Sequence, residues 1–227
     1  MLSKWSSCVT ASVVLLLVGI THADPIIIDD FSCGTMTVPL AVDDITAQDS
    51  ITQAPVSCAI GNQRDLVLDF VTDGGVNGSE AFVQDGLLYH NNDSGTESEL
   101  TAMYGEAGDL NADLTVEGAF GIDIVFEKSD QGAQVRLTIT EDGTSRSFTK
   151  DTAAGPTTVL FLYSEFPGLA FTSVDKIGVL FTNRDGTAAV DLGIGEIRTH
   201  VPEPATAIMI VAGLSAGAVA RRTRRRR

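Results

Sequence analysis

Short apolar stretches, separated by turn residues, run through the chain from residue 26 to residue 199. The clearest is 135–140, where Val, Leu and Ile alternate strictly with Arg and Thr. This period of two is typical of a β-strand with one buried face. Glu141-Asp142-Gly143-Thr144 then turns the chain into 145–150, which predicts a β-hairpin. No stretch shows the period of an amphipathic helix.

Eight to ten short strands are expected in all, punctuated by Pro, Gly, Asn and Asp. This spacing predicts an all-β fold, an antiparallel β-sandwich that is a jelly roll. The first apolar segment, 27–31, and the last, 190–197, are expected to be neighbouring strands. The other predicted strands are 66–71, 120–127, 157–162, 176–182 and 188–197.

The first 23 residues have the pattern of a secretory signal peptide. Lys4 precedes an apolar core from residue 11 to residue 20, and Thr21-His22-Ala23 has a small residue at each end. We expect export through the Sec translocon and cleavage after Ala23. Cys8 precedes the apolar core, whereas a lipoprotein cysteine follows it, so no lipid anchor is expected.

The last 27 residues have three parts in order. Val201-Pro202-Glu203-Pro204 is followed by the apolar stretch 205–220, whose 16 residues would span about 24 Å as a transmembrane helix. Basic residues then hold the C-terminus on the cytoplasmic side of the membrane. An ordinary tail anchor is an alternative on composition alone. The tail-anchoring arginines include Arg221, Arg222, Arg224 and Arg225.

A Pro-Glu-Pro triplet, an apolar helix and an arginine cluster together resemble the PEP-CTERM sorting signal of Gram-negative bacteria. The resemblance implies that an exosortase, a membrane-embedded cysteine peptidase, recognises Pro202, Glu203 and Pro204 and cleaves nearby. The protein would be anchored transiently in the inner membrane and then reach the cell surface or the exterior. The predicted organisation is therefore a signal peptide (1–23), a β-sandwich domain (24–200) and a sorting signal (201–227).

Charge is unevenly distributed along the chain. The whole chain has a formal net charge of −15, but 24–200 holds 8 basic and 29 acidic residues, a difference of −21. The segment 24–200, which we call the body, should repel nucleic acid and anionic lipid headgroups because of this charge, so no nucleic-acid partner is expected. The negative charge favours solubility and the binding of divalent cations. A solvated acidic exterior is a simpler interpretation than a specific ion site.

Two cysteines, Cys33 and Cys58, remain after removal of the signal peptide. In an exported protein they are expected to form a disulfide that closes a loop of about 25 residues and contributes about 3 kcal/mol. Two unpaired thiols are the alternative.

The body resembles carbohydrate-binding modules with a galactose-binding-like jelly roll, through Asp29-Asp30-Phe31, the segment 113–124 and the last strand. This resemblance implies binding of extracellular polysaccharide, in some cases with a structural calcium near the terminal strands. Sugar binders of this type stack aromatic rings on pyranose rings. Tyr89 and Tyr104, which flank the polar segment 90–101, are the candidates, and partly buried edge aromatics are the alternative.

No catalytic residues are predicted. His90, placed in an expected loop at 89–93, is the one histidine far from both termini, and no serine lies in a Gly-x-Ser-x-Gly elbow. The abundance of carboxylates makes any single acidic pair uninformative.

No metal site or cofactor is predicted either, although calcium stays an alternative. Asp109, Asn111 and Asp113 have the spacing that opens a calcium loop. Leu114 and Phe120 stand where an EF-hand needs Gly and Glu, which excludes that motif. The acidic pairs Asp29/Asp30 and Asp43/Asp44 are undecided between a calcium site and a solvated surface.

Three functions follow from these patterns. The favoured one is a non-catalytic protein of the cell surface or extracellular matrix. The second is a carbohydrate-binding module, and the third is a secreted hydrolase with His90 in a cleft.

Overall fold

The computed structural model describes residues 24–39, 48–72, 78–183 and 190–202. The predicted signal peptide, the apolar stretch 205–220, the terminal arginines and the pair Asp43/Asp44 lie outside these residues. Asp24–Pro202 forms one compact unit. No helix in the described ranges is long and apolar enough to cross a membrane.

Within the described residues the secondary structure is β-strands joined by turns and three short 3₁₀ turns. The strands are β1 (Ile27–Asp29), β2 (Met36–Pro39), β3 (Gln48–Gln53), β4 (Arg64–Thr72), β5 (Ser79–Gln84), β6 (Leu87–Asn92), β7 (Glu97–Tyr104), β8 (Gly121–Ser129), β9 (Ala133–Glu141), β10 (Thr144–Asp151), β11 (Thr157–Leu162), β12 (Val174–Asn183) and β13 (Leu192–His200).

These strands form two antiparallel sheets, which we call sheet A and sheet B. Sheet A has the order β11-β8-β13-β6-β5-β2, and β1 also pairs with β13. Sheet B has the order β10-β9-β12-β7-β4-β3. After β4 the chain passes back and forth between the two sheets. The prediction of an all-β jelly-roll sandwich is confirmed.

Alternation within the strands builds the core. In β9 the residues from Ala133 to Glu141 alternate between buried and more exposed positions, so Val135, Leu137 and Ile139 point inward. Inward residues of sheet A, such as Ile124 and Phe126, are equally buried and belong to the same hydrophobic cluster. One hydrophobic core therefore fills the space between the sheets.

The hairpin predicted at 141–144 is present. Glu141 pairs with Thr144, and Asp142 and Gly143 have φ of 51° and 71°. Positive φ at both central residues is the geometry of a type I′ turn, whose twist matches the flanking strands. The predicted neighbours β1 and β13 also pair, with Ile27 opposite Arg198.

Several strands were not predicted from the sequence, and one expectation was wrong. The segment 89–93 was expected to be a loop, but residues through Asn92 belong to β6. The reason is that inward positions of β6 hold polar residues, so the apolar alternation that marks a strand is missing there.

A buried ion pair connects the two sheets. Arg64 on β4 donates two hydrogen bonds of 2.5 Å to the carboxylate of Asp29 on β1, and both side chains are fully buried. The Tyr104 hydroxyl donates to the same carboxylate at 2.9 Å. Burial, followed by the charge of Asp29, raises the pKa of Tyr104 well above its usual value. Tyr104 is therefore a structural hydrogen-bond donor inside the core.

The disulfide between Cys33 and Cys58 is present beside this ion pair. Arg64 lies 3.4 Å from the Cys58 sulfur. The bond joins the segment after β1 to the turn before β4, so it tethers the same two parts of the chain that the ion pair connects.

We predict that Asp29→Asn lowers the free energy of unfolding by about 3–5 kcal/mol, because it leaves the buried Arg64 charge without its counterion. Tyr104→Phe should cost about 1.5–3 kcal/mol, since it removes one hydrogen bond to a charged acceptor. Urea unfolding of the full-length protein measures both. Asp30→Asn is the matched control and should change stability by less than about 0.5 kcal/mol. Equal effects of Asp29→Asn and Asp30→Asn would contradict the prediction.

Candidate functional site

A groove of about 220 Å³ lies on the outer face of sheet B. Its floor is Gly178 on β12, which pairs with Thr138 of β9 on one side and Met103 of β7 on the other. A Cβ atom at Gly178 would meet only the Thr138 Cβ, at an ordinary 3.8 Å. The groove exists because this strand position has no side chain, and the neighbouring residues have not closed over it.

The groove continues along the strands in both directions from Gly178. On one side Leu180 pairs with Arg136 and with Thr101. On the other side Lys176 pairs with Thr140, and Glu106 follows the end of β7. Since β9 advances by about 3.4 Å per residue, the positions of Arg136 and Thr140 are about 14 Å apart.

The lining combines hydroxyl and charged groups with the apolar residues Met103, Ile177 and Leu180. Thr138 and Thr140 already hydrogen-bond to Ser147 and Ser145 at 2.8 Å, and each of these hydroxyls, like that of Thr101, keeps capacity for a further hydrogen bond. Arg136 and Lys176 offer cationic donors, and Lys176 lies 3.3 Å from Glu106 in an exposed ion pair. None of the lining residues is aromatic. The arrangement suits a polar, elongated ligand that is held by hydrogen bonds rather than by ring stacking.

The two tyrosines predicted to stack on a sugar are not brought together. Tyr104 is fully buried and points into the core from sheet B. Tyr89 lies on the outer face of sheet A, half-buried, and stacks on Phe82 with ring centroids 4.7 Å apart. The Tyr89/Tyr104 stacking pair is therefore wrong, because residue 104 occupies an inward position of β7.

Lys128 covers the remaining tyrosine. Its Nζ lies 5.1 Å from the centre of the Tyr89 ring and 3.3 Å from the Tyr89 hydroxyl. Both neighbours on this face, Phe82 and Lys128, thus already contact Tyr89. The described part of sheet A offers one partly covered aromatic pair on its outer face, whereas the groove of about 220 Å³ lies on sheet B.

His90 is buried between the sheets and does not lie in a cleft. It is 1% exposed, and its Nε2 lies 2.7 Å from the Ser98 hydroxyl. Ser98 donates its own proton to Asn92 at 2.6 Å and also contacts Ser79 at 2.7 Å. In this network the imidazole Nε2–H donates to the Ser98 hydroxyl. A general base that activates a serine would instead accept the proton of the serine hydroxyl.

The electrostatics of His90 support the same interpretation. Burial lowers its pKa to about 4. Its Nδ1 has no hydrogen-bond partner among the described residues, so no carboxylate orients the ring. A hydrolytic triad needs that third group. The hydrolase hypothesis therefore finds no support at His90.

The acidic residues considered for calcium have other contacts. Both oxygens of Asp29 accept hydrogen bonds within the buried cluster described above. Asp30 accepts from the backbone of Ser32, and Asp113 accepts from the backbone and hydroxyl of Thr115. Asp109, Asn111 and Asp113 are exposed on a loop.

The sorting signal begins where the last strand of the sandwich ends. β13 ends at His200, whose ring hydrogen-bonds to Asp123 at 2.7 Å, and whose carbonyl accepts from Phe120 at 3.0 Å. Val201 is half-buried and Pro202 is exposed. A sequence model of the PEP-CTERM protein-sorting motif matches residues 200–226. The chain carries a PEP-CTERM sorting motif.

This sorting motif indicates an exported protein that is anchored in the membrane before processing. It covers a small part of the chain and does not describe the sandwich. Comparison with curated proteins finds no match.

Solved structures similar to the sandwich are carbohydrate-binding modules. A family 11 module of a cellulosomal cellulase from Clostridium thermocellum is 10% identical, with a TM-score of 0.38, over 80% of this chain and 97% of that one. A family 29 module from Piromyces equi is 9% identical, with a TM-score of 0.33, over 74% and 91% of the two chains. Likeness at this level does not transfer a ligand to this protein.

We predict that His90 makes stability depend on pH. Its pKa is about 4 when folded and about 6.5 when unfolded, so the unfolded chain binds the proton more tightly. Stability should therefore be fully present above pH 6.5 and fall as the pH drops towards 4. Between pH 7 and pH 5 the wild type should lose about 2 kcal/mol more than His90→Gln. Urea unfolding at both pH values measures this difference, and parallel losses in the two proteins would contradict it.

Proposed function

We propose that the protein is a non-catalytic component of the cell surface or extracellular matrix, and that an exosortase processes it at Pro202-Glu203-Pro204. The observation that carries this proposal is the position of the sorting motif. Every described strand precedes it, and β13 ends at the first residue that the motif matches. Cleavage within the motif would release a complete sandwich.

The pairing of β13 with neighbouring strands on both sides supports cleavage after the sandwich rather than within it. It pairs with β8 along its length, and with β6 and then β1 on its other side. Pro202, in contrast, is exposed and beyond the strand. A peptidase that binds an extended substrate would therefore find Pro202 accessible while the sandwich stays folded. Before cleavage, the predicted helix 205–220 would hold the protein in the inner membrane.

We predict that replacing Pro202, Glu203 and Pro204 together by Ala leaves the full-length protein in the membrane fraction of a host that has an exosortase. The wild type should be shortened at its C-terminus there and should stay full-length in the same host without the exosortase gene. Mass spectrometry of the membrane and secreted fractions measures both forms. Pro156→Ala, at an exposed proline of the body, is the control and should be processed normally. Normal processing of the triple variant would overturn the proposal.

Carbohydrate binding is the second candidate function, and the groove on sheet B favours it. Its threonine hydroxyls match the alternating donors and acceptors of a sugar chain, and its length suits an extended polymer. Because the lining has no aromatic ring, affinity would come from hydrogen bonds along several sugars. Such a site would bind matrix polysaccharide at the destination that the sorting motif specifies.

We predict that a glycan array probed with the full-length protein gives binding that Gly178→Val abolishes, because the new side chain fills the floor of the groove. Valine suits a strand, and its Cβ meets only ordinary contact there, so the fold should be retained. Tyr89→Ala is the control on sheet A. Loss of binding with Tyr89→Ala alone would move the site to that face, and absence of binding to any glycan would remove this function. Parallel arrays with and without calcium test whether the ion takes part.

A further inference from the structure

Among the described residues of the body, every Lys and Arg side chain except one has a partner. Arg64 pairs with Asp29, Lys150 with Glu165, Lys176 with Glu106 and Arg198 with Glu196. Lys128 lies over Tyr89, and Arg146 donates to the carbonyl of Pro167. Only the Arg136 side chain has no hydrogen bond or ion pair within the ranges that the structure describes, and it is exposed at one wall of the groove.

An unpaired arginine is unexpected in this composition. The body has 29 acidic residues for 8 basic ones, so nearby carboxylates are abundant. Yet the residues that pair with Arg136 across the two neighbouring strands are Leu180 and Thr149, and both are neutral. Along β9, Gln134 and Thr138 occupy the next positions on the same face, and they are neutral as well. The positions directly beside Arg136 are therefore neutral, and the nearby Asp151 accepts a hydrogen bond from Gln134.

We infer that the groove takes a polysaccharide that carries carboxylates, with Arg136 binding one of them. This inference rests on the glycan-binding function proposed above and names its ligand class. A planar guanidinium matches a carboxylate with two parallel hydrogen bonds, which a neutral sugar cannot accept in the same way. The hydroxyls of Thr138 and Thr140 continue the hydrogen-bonding surface from Arg136 towards Lys176.

Lys176 provides a second cationic position at the far end of the groove. Its 3.3 Å pair with Glu106 is exposed on both sides, with side chains 40% and 41% accessible. Exposed pairs of this kind contribute little, about 0–1 kcal/mol, so a ligand carboxylate can compete for the ammonium. Two cations about 14 Å apart along the strands, with hydroxyls between them, suit a polymer with repeating acidic sugars.

The overall negative charge of the body does not prevent this binding. At physiological salt the Debye length is about 8 Å, so charges on other faces of the sandwich are largely screened at the groove. The local lining decides the interaction, and it holds two cations against one carboxylate, Glu106. Binding should weaken as salt rises, because the exposed charges are screened.

The experiment is isothermal titration of the full-length protein with oligogalacturonate and with its fully methyl-esterified form. The two ligands share one sugar backbone, and each charged carboxylate of the first is a neutral methyl ester in the second. We expect the acid form to bind at least tenfold more tightly. Arg136→Gln should weaken that preference, because Lys176 alone remains, and Lys128→Gln, the same change of charge on sheet A, should leave it unchanged.

The outcomes separate this inference from the function on which it rests. Equal affinity for the two forms, or an unchanged preference in Arg136→Gln, overturns the acidic ligand class. If Gly178→Val still abolishes binding in that case, glycan binding in the groove stands. Absence of binding to either form overturns the acidic ligand class, and the glycan array then decides the broader function.

Discussion

The ion pair between Asp29 and Arg64 fixes the geometry on which the rest of the molecule depends. It joins β1 of sheet A to β4 of sheet B inside the core, where neither charge has access to water. Such a pair tolerates little displacement, because an unpaired charge at this depth is very costly. It therefore holds β1 against β13, together with the neighbouring disulfide. β13 in turn carries the end of the sandwich to the sorting motif at His200.

Polar residues inside the sandwich have structural rather than chemical roles. Ser79, His90, Asn92 and Ser98 satisfy one another between the sheets, with the His90 Nδ1 as the exception among the described residues. A low dielectric keeps the imidazole neutral and strengthens these hydrogen bonds. The same burial removes the network from any substrate. The polar groups of this network are therefore convergent but enclosed.

The outer faces of the two sheets differ in what they offer a ligand. On sheet A the aromatic pair Phe82 and Tyr89 is partly covered by Lys128. On sheet B a glycine leaves open space between threonines, and Arg136 stands beside it without a partner in the described part of the chain. Among the described residues, the outer face of sheet B combines an open groove with an arginine whose side chain has no partner. This asymmetry favours sheet B as the binding face.

The sequence by itself determined the sorting motif, the strands with clean alternation and the 142–143 turn, because these are local patterns. It also indicated the pairing of the first and last strands, whereas β5, β6 and β7 went unpredicted. The Asp85-Gly86 turn, with positive φ at both residues, carries the same hairpin signal as Asp142-Gly143 and could have revealed β5 and β6.

Only the tertiary structure decided which face each side chain occupies. A shift of one residue along a strand exchanges inside for outside. Tyr104 was thus expected at a surface and lies in the core, and His90 was expected in a loop and lies between the sheets. The sequence did not point to Arg136, because what distinguishes it is that its side chain has no partner in the described part of the chain. That absence depends on which neutral residues β10 and β12 place beside it.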